Sequence, residues 1–157
     1  LMYIATAMVD DSGMAQRVKA HRDRRGCVWT TLEEPEYPDR LLQELAASHT
    51  DVGGVLLDCV TVWMSNCMAQ GQSDAEIRRR AGLIGGTARE LGAWRQCPVV
   101  LVTNEVGCGI APVTELGNRF RDLAGLVNQD LARCADDVVL VACGLPLVLK
   151  GELRIGF

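Results

Sequence analysis

Nowhere in its 157 residues does the chain approach the ~20 uninterrupted apolar positions that a membrane-spanning helix needs. The opening Leu1-Met2-Tyr3-Ile4-Ala5-Thr6 is too short, and lacks the basic flank, to be a signal peptide; it reads as a β-strand. No membrane span is expected. There is also no C-x-x-C and no paired Cys/His spacing of a zinc site, although cysteines occur at seven positions (Cys27, Cys59, Cys67, Cys97, Cys108, Cys134 and Cys143). An odd, irregularly spaced set excludes a disulfide framework and a structural metal. Several of the thiols sit in or beside apolar runs, as Cys59 does after Val55-Leu56-Leu57-Asp58, where a free Cys behaves as a small hydrophobe. The compartment this implies is a reducing cytoplasm. Positive charge is in deficit: Lys and Arg number 16 against 20 Asp and Glu, a net charge of −4. That excludes a general electrostatic attraction to nucleic acid or to an anionic membrane. Low-complexity stretches and linkers are missing too. What remains, 48% apolar and 23% charged, is the composition of one compact globular domain over residues 1–157.

The charge deficit has one local exception. Arg17, Lys19, Arg22, Arg24 and Arg25 fall within nine residues. Two readings stand for such a run: the solvated face of a helix, or a seat for an anionic ligand such as a phosphate.

Three apolar runs, Val52 to Leu57, Val99 to Thr103 and Val138 to Ala142, are rich in β-branched residues and bounded by turn or polar residues. Near-continuous rather than alternating hydrophobicity marks strands buried on both faces. With Tyr3 to Thr6 they predict four parallel strands; Trp29 to Glu33 is a weaker fifth, and Pro146–Lys150 with Glu152–Ile155 around Gly151 predicts a terminal hairpin. Helical patterns lie between: Asp10 to about Arg24; Pro38 to Ala47 with Leu41, Leu42 and Leu45; the stretch after the capping box Ser73-Asp74-Ala75-Glu76; and Pro112 to about Ala135. Alternating strands and helices in a short chain predict an α/β protein with a doubly wound sheet.

Ligands of such sheets bind at the carboxyl ends of the strands. The residues there are Thr6, Glu33 and Glu34, Asp58, Asn104 and Glu105, and Gly144. Val55-Leu56-Leu57-Asp58 has the form of a Walker B strand, whose acid orients Mg²⁺ on a nucleotide phosphate. An Asp that merely caps the following turn has the same pattern. Asn104-Glu105 with Gly107 and Gly109 reads either as a loop closing over substrate or as a strand-to-helix turn that needs two glycines.

Four ordered stretches carry a family resemblance. Met14-Ala15-Gln16-Arg17-Val18-Lys19-Ala20-His21-Arg22-Asp23-Arg24-Arg25, running on to Trp29-Thr30-Thr31-Leu32-Glu33-Glu34-Pro35, is similar to an M-x-x-R-I-x-x-H-R-x-R-R…W-x-T-x-E-x-P segment. Tyr3 to Ala7, Leu57 to Asn66, and Val102 to Pro112 with its continuation to Gln129 complete the set. Together they resemble the bifunctional adenosylcobinamide kinase / adenosylcobinamide-phosphate guanylyltransferase family. The resemblance implies a P-loop NTPase-like (RecA-like), mostly parallel sheet flanked by helices, with a C-terminal β-hairpin. It implies phosphorylation of adenosylcobinamide, then transfer of GMP from GTP through a guanylyl-histidine to adenosylcobinamide phosphate. His21 takes the place of the guanylylated histidine, and Thr6, Ala7, Arg22, Asp23, Arg24, Arg25, Glu33 and Asp58 the places of nucleotide contacts. Asp58 would also serve Mg²⁺, and Asn104 with Glu105 would form the substrate loop. GTP, and ATP in the kinase step, are the implied nucleotides, and a homo-oligomer, a trimer in the family, is the implied assembly.

The chemistry suits the residues. A neutral imidazole is a competent nucleophile near neutral pH, guanidiniums offset charge on an α-phosphate, and a carboxylate such as Glu33 matches the N1 and N2 donors of guanine. His21 without the resemblance would read as a surface histidine on a basic helix; His49 has no such neighbours and reads as surface.

The sequence departs from the family in two places. The family opens with a strand and a G-x-x-x-x-G-K-[ST] loop ahead of the strand that opens this chain, and these residues contain no such loop. Gly82-Leu83-Ile84-Gly85-Gly86-Thr87 has no lysine and lies in a helical pattern. The expectation is a strand and phosphate loop preceding Leu1 in the natural protein. Gly26 stands where the family has Pro, which predicts a looser turn after the arginines. The functional classes that stand at this level are the bifunctional enzyme, a nucleotide-binding module without turnover, and another nucleotide kinase sharing the fold.

Overall fold

Short β-branched runs can be buried on both faces only if helices cover both sides of their sheet, and that is how they are used. The computed structural model describes residues 1–8, 26–48 and 52–152. The predicted helix over 10–24 and the predicted strand beyond residue 152 lie outside them. Strands β1 (Met2–Ala5), β2 (Thr30–Glu33), β3 (Val55–Asp58) and β4 (Val99–Val102) form one all-parallel sheet in the order β2-β1-β3-β4. Ile4 and Leu57, from its two central strands, are fully buried. Helices α1 (Pro38–Ala47), α2 (Val60–Ala69), α3 (Asp74–Arg95) and α4 (Glu115–Cys134) complete the core with Leu42, Trp63, Met64, Ile77, Ile84, Leu91, Leu123 and Val127. Each such side chain withdrawn from water contributes about 1.5–3 kcal/mol. No helix among the described residues is long and apolar enough to cross a membrane.

Local chemistry sets the helix ends. Pro38 opens α1, where its missing N–H costs nothing. The Ser73 hydroxyl accepts from the Glu76 amide at 3.3 Å, the predicted cap of α3, and Gly82 to Thr87 lie inside that helix. Helix α4 begins at Glu115 rather than at Pro112, because the Thr114 hydroxyl accepts from the Gly117 amide at 3.1 Å. A β-carbon on Gly117 would fall 2.6 Å from the Pro112 β-carbon, so this first turn requires glycine. Gly26 takes φ +64, a conformation closed to the Pro of the related pattern.

Two expectations are corrected. Val138–Ala142 is not a strand of the parallel sheet: as β5 it pairs antiparallel with β6 (Leu145–Lys150) in a separate two-stranded sheet. The fourth parallel strand is instead β2, the weaker candidate, paired along its whole length with β1. The hairpin turns at Cys143-Gly144 and not at Gly151; both turn residues have positive φ (+55 and +77), as a two-residue turn with the twist of its strands demands. Lys150 closes this unit by donating to the carbonyls of Ala132 (3.0 Å) and Ala135 (2.6 Å), a cation at the carboxyl end of α4.

Helices α3 and α4 are joined by charge. The Arg78 guanidinium donates to both Asp130 oxygens, Nε at 2.8 Å and Nη2 at 3.1 Å, and Arg133 bonds the same carboxylate. The Arg78 hydrogen bond, outweighing burial, holds Asp130 below the usual carboxylate range. A depressed carboxylate stabilises the fold above its unfolded pKa, about 4, and that contribution is lost as pH falls through the folded value. Asp130→Asn should therefore melt earlier than the parent at pH 7, with the gap narrowing as pH drops below about 4. Urea titrations at pH 7 and pH 3 check this; an equal gap at both would refute it.

A second pair is buried. Arg80 and Asp39 have side chains only 5% and 8% exposed. All five N–H donors of Arg80 are used: on Asp39 (3.2 and 2.5 Å), the Glu36 carbonyl (2.6 Å), Gln72 Oε1 (3.1 Å) and Cys67 Sγ (3.6 Å). The guanidinium also lies 5.2 Å from the Trp63 ring and 5.1 Å from the Tyr37 ring. Burial pushes the Cys67 thiol up to about 11 against the pull of Arg80, so it stays neutral.

Candidate functional site

Parallel register places the strand ends in a row. Ala5 is aligned with Glu33 on one side and Asp58 on the other, and Asp58 with Val102. Glu33 and Asp58 thus share one edge of the sheet, two strands or about 10 Å apart. This is the carboxyl edge, where open α/β sheets take their ligands. Glu33 is exposed at its end of the row. Asp58 is half-buried, and its Oδ2 accepts from the Tyr3 hydroxyl, which lies two residues back on the same face.

Thr6 continues β1. It is fully buried, and its hydroxyl donates to the Cys59 carbonyl (2.8 Å) and accepts from the Cys59 amide (2.9 Å). The hydroxyl is spent on backbone, so Thr6 fixes where β1 leaves the sheet, and Ala7 follows it half-buried at the rim. Cys59 is itself buried; desolvation and the Asp58 charge push its thiol up and outweigh the backbone hydrogen bonds, which makes it a poor nucleophile.

At β4's exit, the Thr61 hydroxyl accepts from the Asn104 amide at 2.8 Å and lies 3.1 Å from the Thr103 hydroxyl. Thr103 donates to Asn128 Oδ1 (2.7 Å), and Asn128 Nδ2 returns to the Asn104 carbonyl (3.1 Å). The base of the loop is therefore pinned to α2 and α4. Beyond it, Glu105 Oε1 accepts from the Gly107 amide, and Ile110 and Val113 are fully exposed. Asn104 and Glu105 thus stand on the same edge as Asp58, one strand further out.

The structure brings together Thr6, Ala7, Glu33, Asp58, Asn104 and Glu105. His21, Arg22, Asp23, Arg24 and Arg25 lie outside the described residues, as does His49. Sequence reasoning assigned no part to Tyr3, Thr61, Asn66, Thr103 or Asn128. The available signal was weak: Thr61 and Asn66 are, with Ser65, the polar residues of a mostly apolar helix. Among the described residues no group of three or more His, Cys, Asp or Glu could hold a metal ion.

A carboxylate row at the carboxyl edge of a parallel sheet fits a nucleotide enzyme, and the relatives of the chain agree. The sequence model described as cobinamide kinase / cobinamide phosphate guanyltransferase matches residues 1–149. The bifunctional adenosylcobalamin biosynthesis protein CobU of Salmonella typhimurium is 38% identical, over 96% of this chain and 86% of its own. CobU of Escherichia coli is 38% identical with the same coverage, and CobP of Pseudomonas aeruginosa is 36% identical over 96% and 82%. With the predicted strand-end acids on one edge and a family match along nearly its whole length, the chain belongs to the cobinamide kinase / cobinamide phosphate guanyltransferase family.

Proposed function

We propose that this protein phosphorylates adenosylcobinamide and then transfers GMP from GTP, through a guanylyl-histidine on His21, to adenosylcobinamide phosphate. The observation that carries the reading is the family match over residues 1–149, with relatives whose names state adenosylcobalamin biosynthesis. The site supports it chemically. Glu33 is an exposed carboxylate at one end of the row, suited to the paired N1 and N2 donors of guanine. Asp58, with its backbone fixed in β3, suits Mg²⁺, which is bound by one or two carboxylates together with substrate phosphates rather than by a protein cage. Mg²⁺ would neutralise phosphate charge there. Arg22, Arg24 and Arg25 next to His21 supply donors for an α-phosphate, with Asp23 among them. Asn104 and Glu105, just past the strand that flanks Asp58, would form the substrate loop.

Homo-oligomerisation belongs to the same reading and is supported by the exposed Val141, Leu145, Leu147 and Leu149 of the hairpin. A reducing cytoplasm is supported by seven free thiols, two of them buried in the core.

The test is direct. Intact protein given Mg²⁺ and GTP labelled at the α-phosphate should acquire a protein-bound label. Cobinamide phosphate should then remove the label and yield labelled cobinamide-GDP. With unlabelled ATP or GTP, cobinamide should be converted to its phosphate. Label that cobinamide phosphate cannot discharge would sink the transferase reading, and phosphorylation of simple nucleoside monophosphates with cobinamide inert would select a different kinase.

A further inference from the structure

We infer that Asn66 is a positioning residue that aims Glu33 at the guanine base, and so sets the preference for GTP; the inference rests on the reading of Glu33 given above. Glu33 is the last residue of β2, and the Glu34 amide donates to the Ala5 carbonyl at 2.8 Å, so pairing with β1 persists one residue beyond it. The chain then turns away sharply. Glu34 Oε1 accepts from the Glu36 and Tyr37 amides at 3.0 and 2.8 Å, folding the segment over its own carboxylate.

The carbonyls of that turn are claimed by side chains from two helices. The Glu36 carbonyl accepts from Trp63 Nε1 (3.2 Å) and from Arg80. The Pro35 carbonyl accepts from Asn66 Nδ2 at 3.1 Å, and the same nitrogen donates to the Thr6 carbonyl at 2.9 Å. One amide group therefore ties the exit of β1 to the exit of β2. Two carbonyl oxygens facing one terminal atom fix the orientation of the amide, since only the NH₂ end can serve both.

Trp63 and Arg80 anchor the far side of the turn, three residues past Glu33. Asn66 acts closer and, among the described residues, is the one side chain that bridges both exits through a single group. Its loss frees the Pro35 carbonyl and lets the end of β2 shift relative to Thr6. A bidentate contact from Glu33 to guanine N1 and N2 tolerates little such shift, because misplacement on the order of 1 Å can cost about a hundredfold.

The experiment compares GTP with ITP, which keeps N1–H and lacks the 2-amino group, as donors in labelled transfer by the intact protein. The parent should prefer GTP, in kcat/KM. In Asn66→Asp, which is isosteric but turns both donors into an acceptor facing two carbonyls, the GTP/ITP ratio should fall roughly tenfold, chiefly through a rise in the KM for GTP. Asn66→Ser, retaining a single donor, should fall between and serves if the Asp variant does not fold. Lys150→Met, which loosens the hairpin away from both exits, should leave the ratio at the parent value.

Equal losses on GTP and ITP in the Asn66 variants would overturn the inference and leave Asn66 a structural residue. Glu33→Gln separates the two ideas. If it keeps the parent ratio, the reading of Glu33 itself fails; if it abolishes the preference while the Asn66 variants do not, only the positioning role fails.

Discussion

Asp39→Ala should cost the fold about 3–5 kcal/mol, because it strands the Arg80 guanidinium in the core. Against a typical total of about 5–15 kcal/mol, that leaves the protein barely folded or aggregating. The size follows from burial. Arg80 is 5% exposed, and Asp39 takes two of its five hydrogen bonds and supplies the neutralising charge. The Trp63 and Tyr37 rings beside the cation attract it as well, but they replace neither the two hydrogen bonds nor the countercharge that Asp39 supplies. Arg80→Met in the parent should be comparably harmful for the converse reason, an unpaired carboxylate. The double change Arg80→Met with Asp39→Leu removes both charges and should recover most of the loss, as apolar replacements of buried pairs do. The Glu36 carbonyl would still have Trp63 Nε1 as a donor. Denaturant melts of the intact single and double variants make a cycle; additive losses would show that the pair does not act as one.

That pair is also a lesson in what a sequence discloses. Pro38 and the Leu41, Leu42 and Leu45 stripe are local signals, and they placed α1 at its observed limits. The Ser73-to-Glu76 capping box placed the start of α3 in the same way. Helix α2 left no such trace: its buried Val60, Trp63, Met64 and Cys67 share one face, but Val62, Met68 and Ala69 make the rest largely apolar as well, so the sequence offers little contrast to read. Strand β5 has the apolar run of an interior parallel strand. Its partner is decided by a two-residue turn, Cys143-Gly144, whose positive φ values brought Leu145–Lys150 back alongside.

For the site, the acids were legible because parallel strands deliver their ends to one edge, so Glu33 and Asp58 could be picked from the residues that close two runs. The residues that hold those ends were not. Asn66 serves carbonyls 60 and 31 positions away in sequence, and Thr61 an amide 43 away. A polar residue on a helix looks the same whether it faces water or a distant carbonyl; only the tertiary fold distinguishes them.

His21→Ala should reduce guanylyl transfer by about a thousandfold or more while leaving the conversion of cobinamide to its phosphate in place. The asymmetry comes from the chemistry of the two steps. On the proposed route the neutral His21 imidazole nitrogen would attack the α-phosphorus, the bond to pyrophosphate would break, and a phosphorus–nitrogen bond would store the GMP. Cobinamide phosphate would then attack the same phosphorus and the imidazole would leave. Without the imidazole there is no atom to carry GMP between two acceptors. The kinase step moves a terminal phosphoryl group directly to a hydroxyl and needs no protein nucleophile. The bond type gives a second signature, since a phosphoramidate is labile in acid and stable in base. His49 is the other histidine of the sequence, so His49→Ala should keep the label that His21→Ala loses. Acid-labile label persisting in His21→Ala, or loss of both activities together in a well-folded variant, would remove His21 from this role.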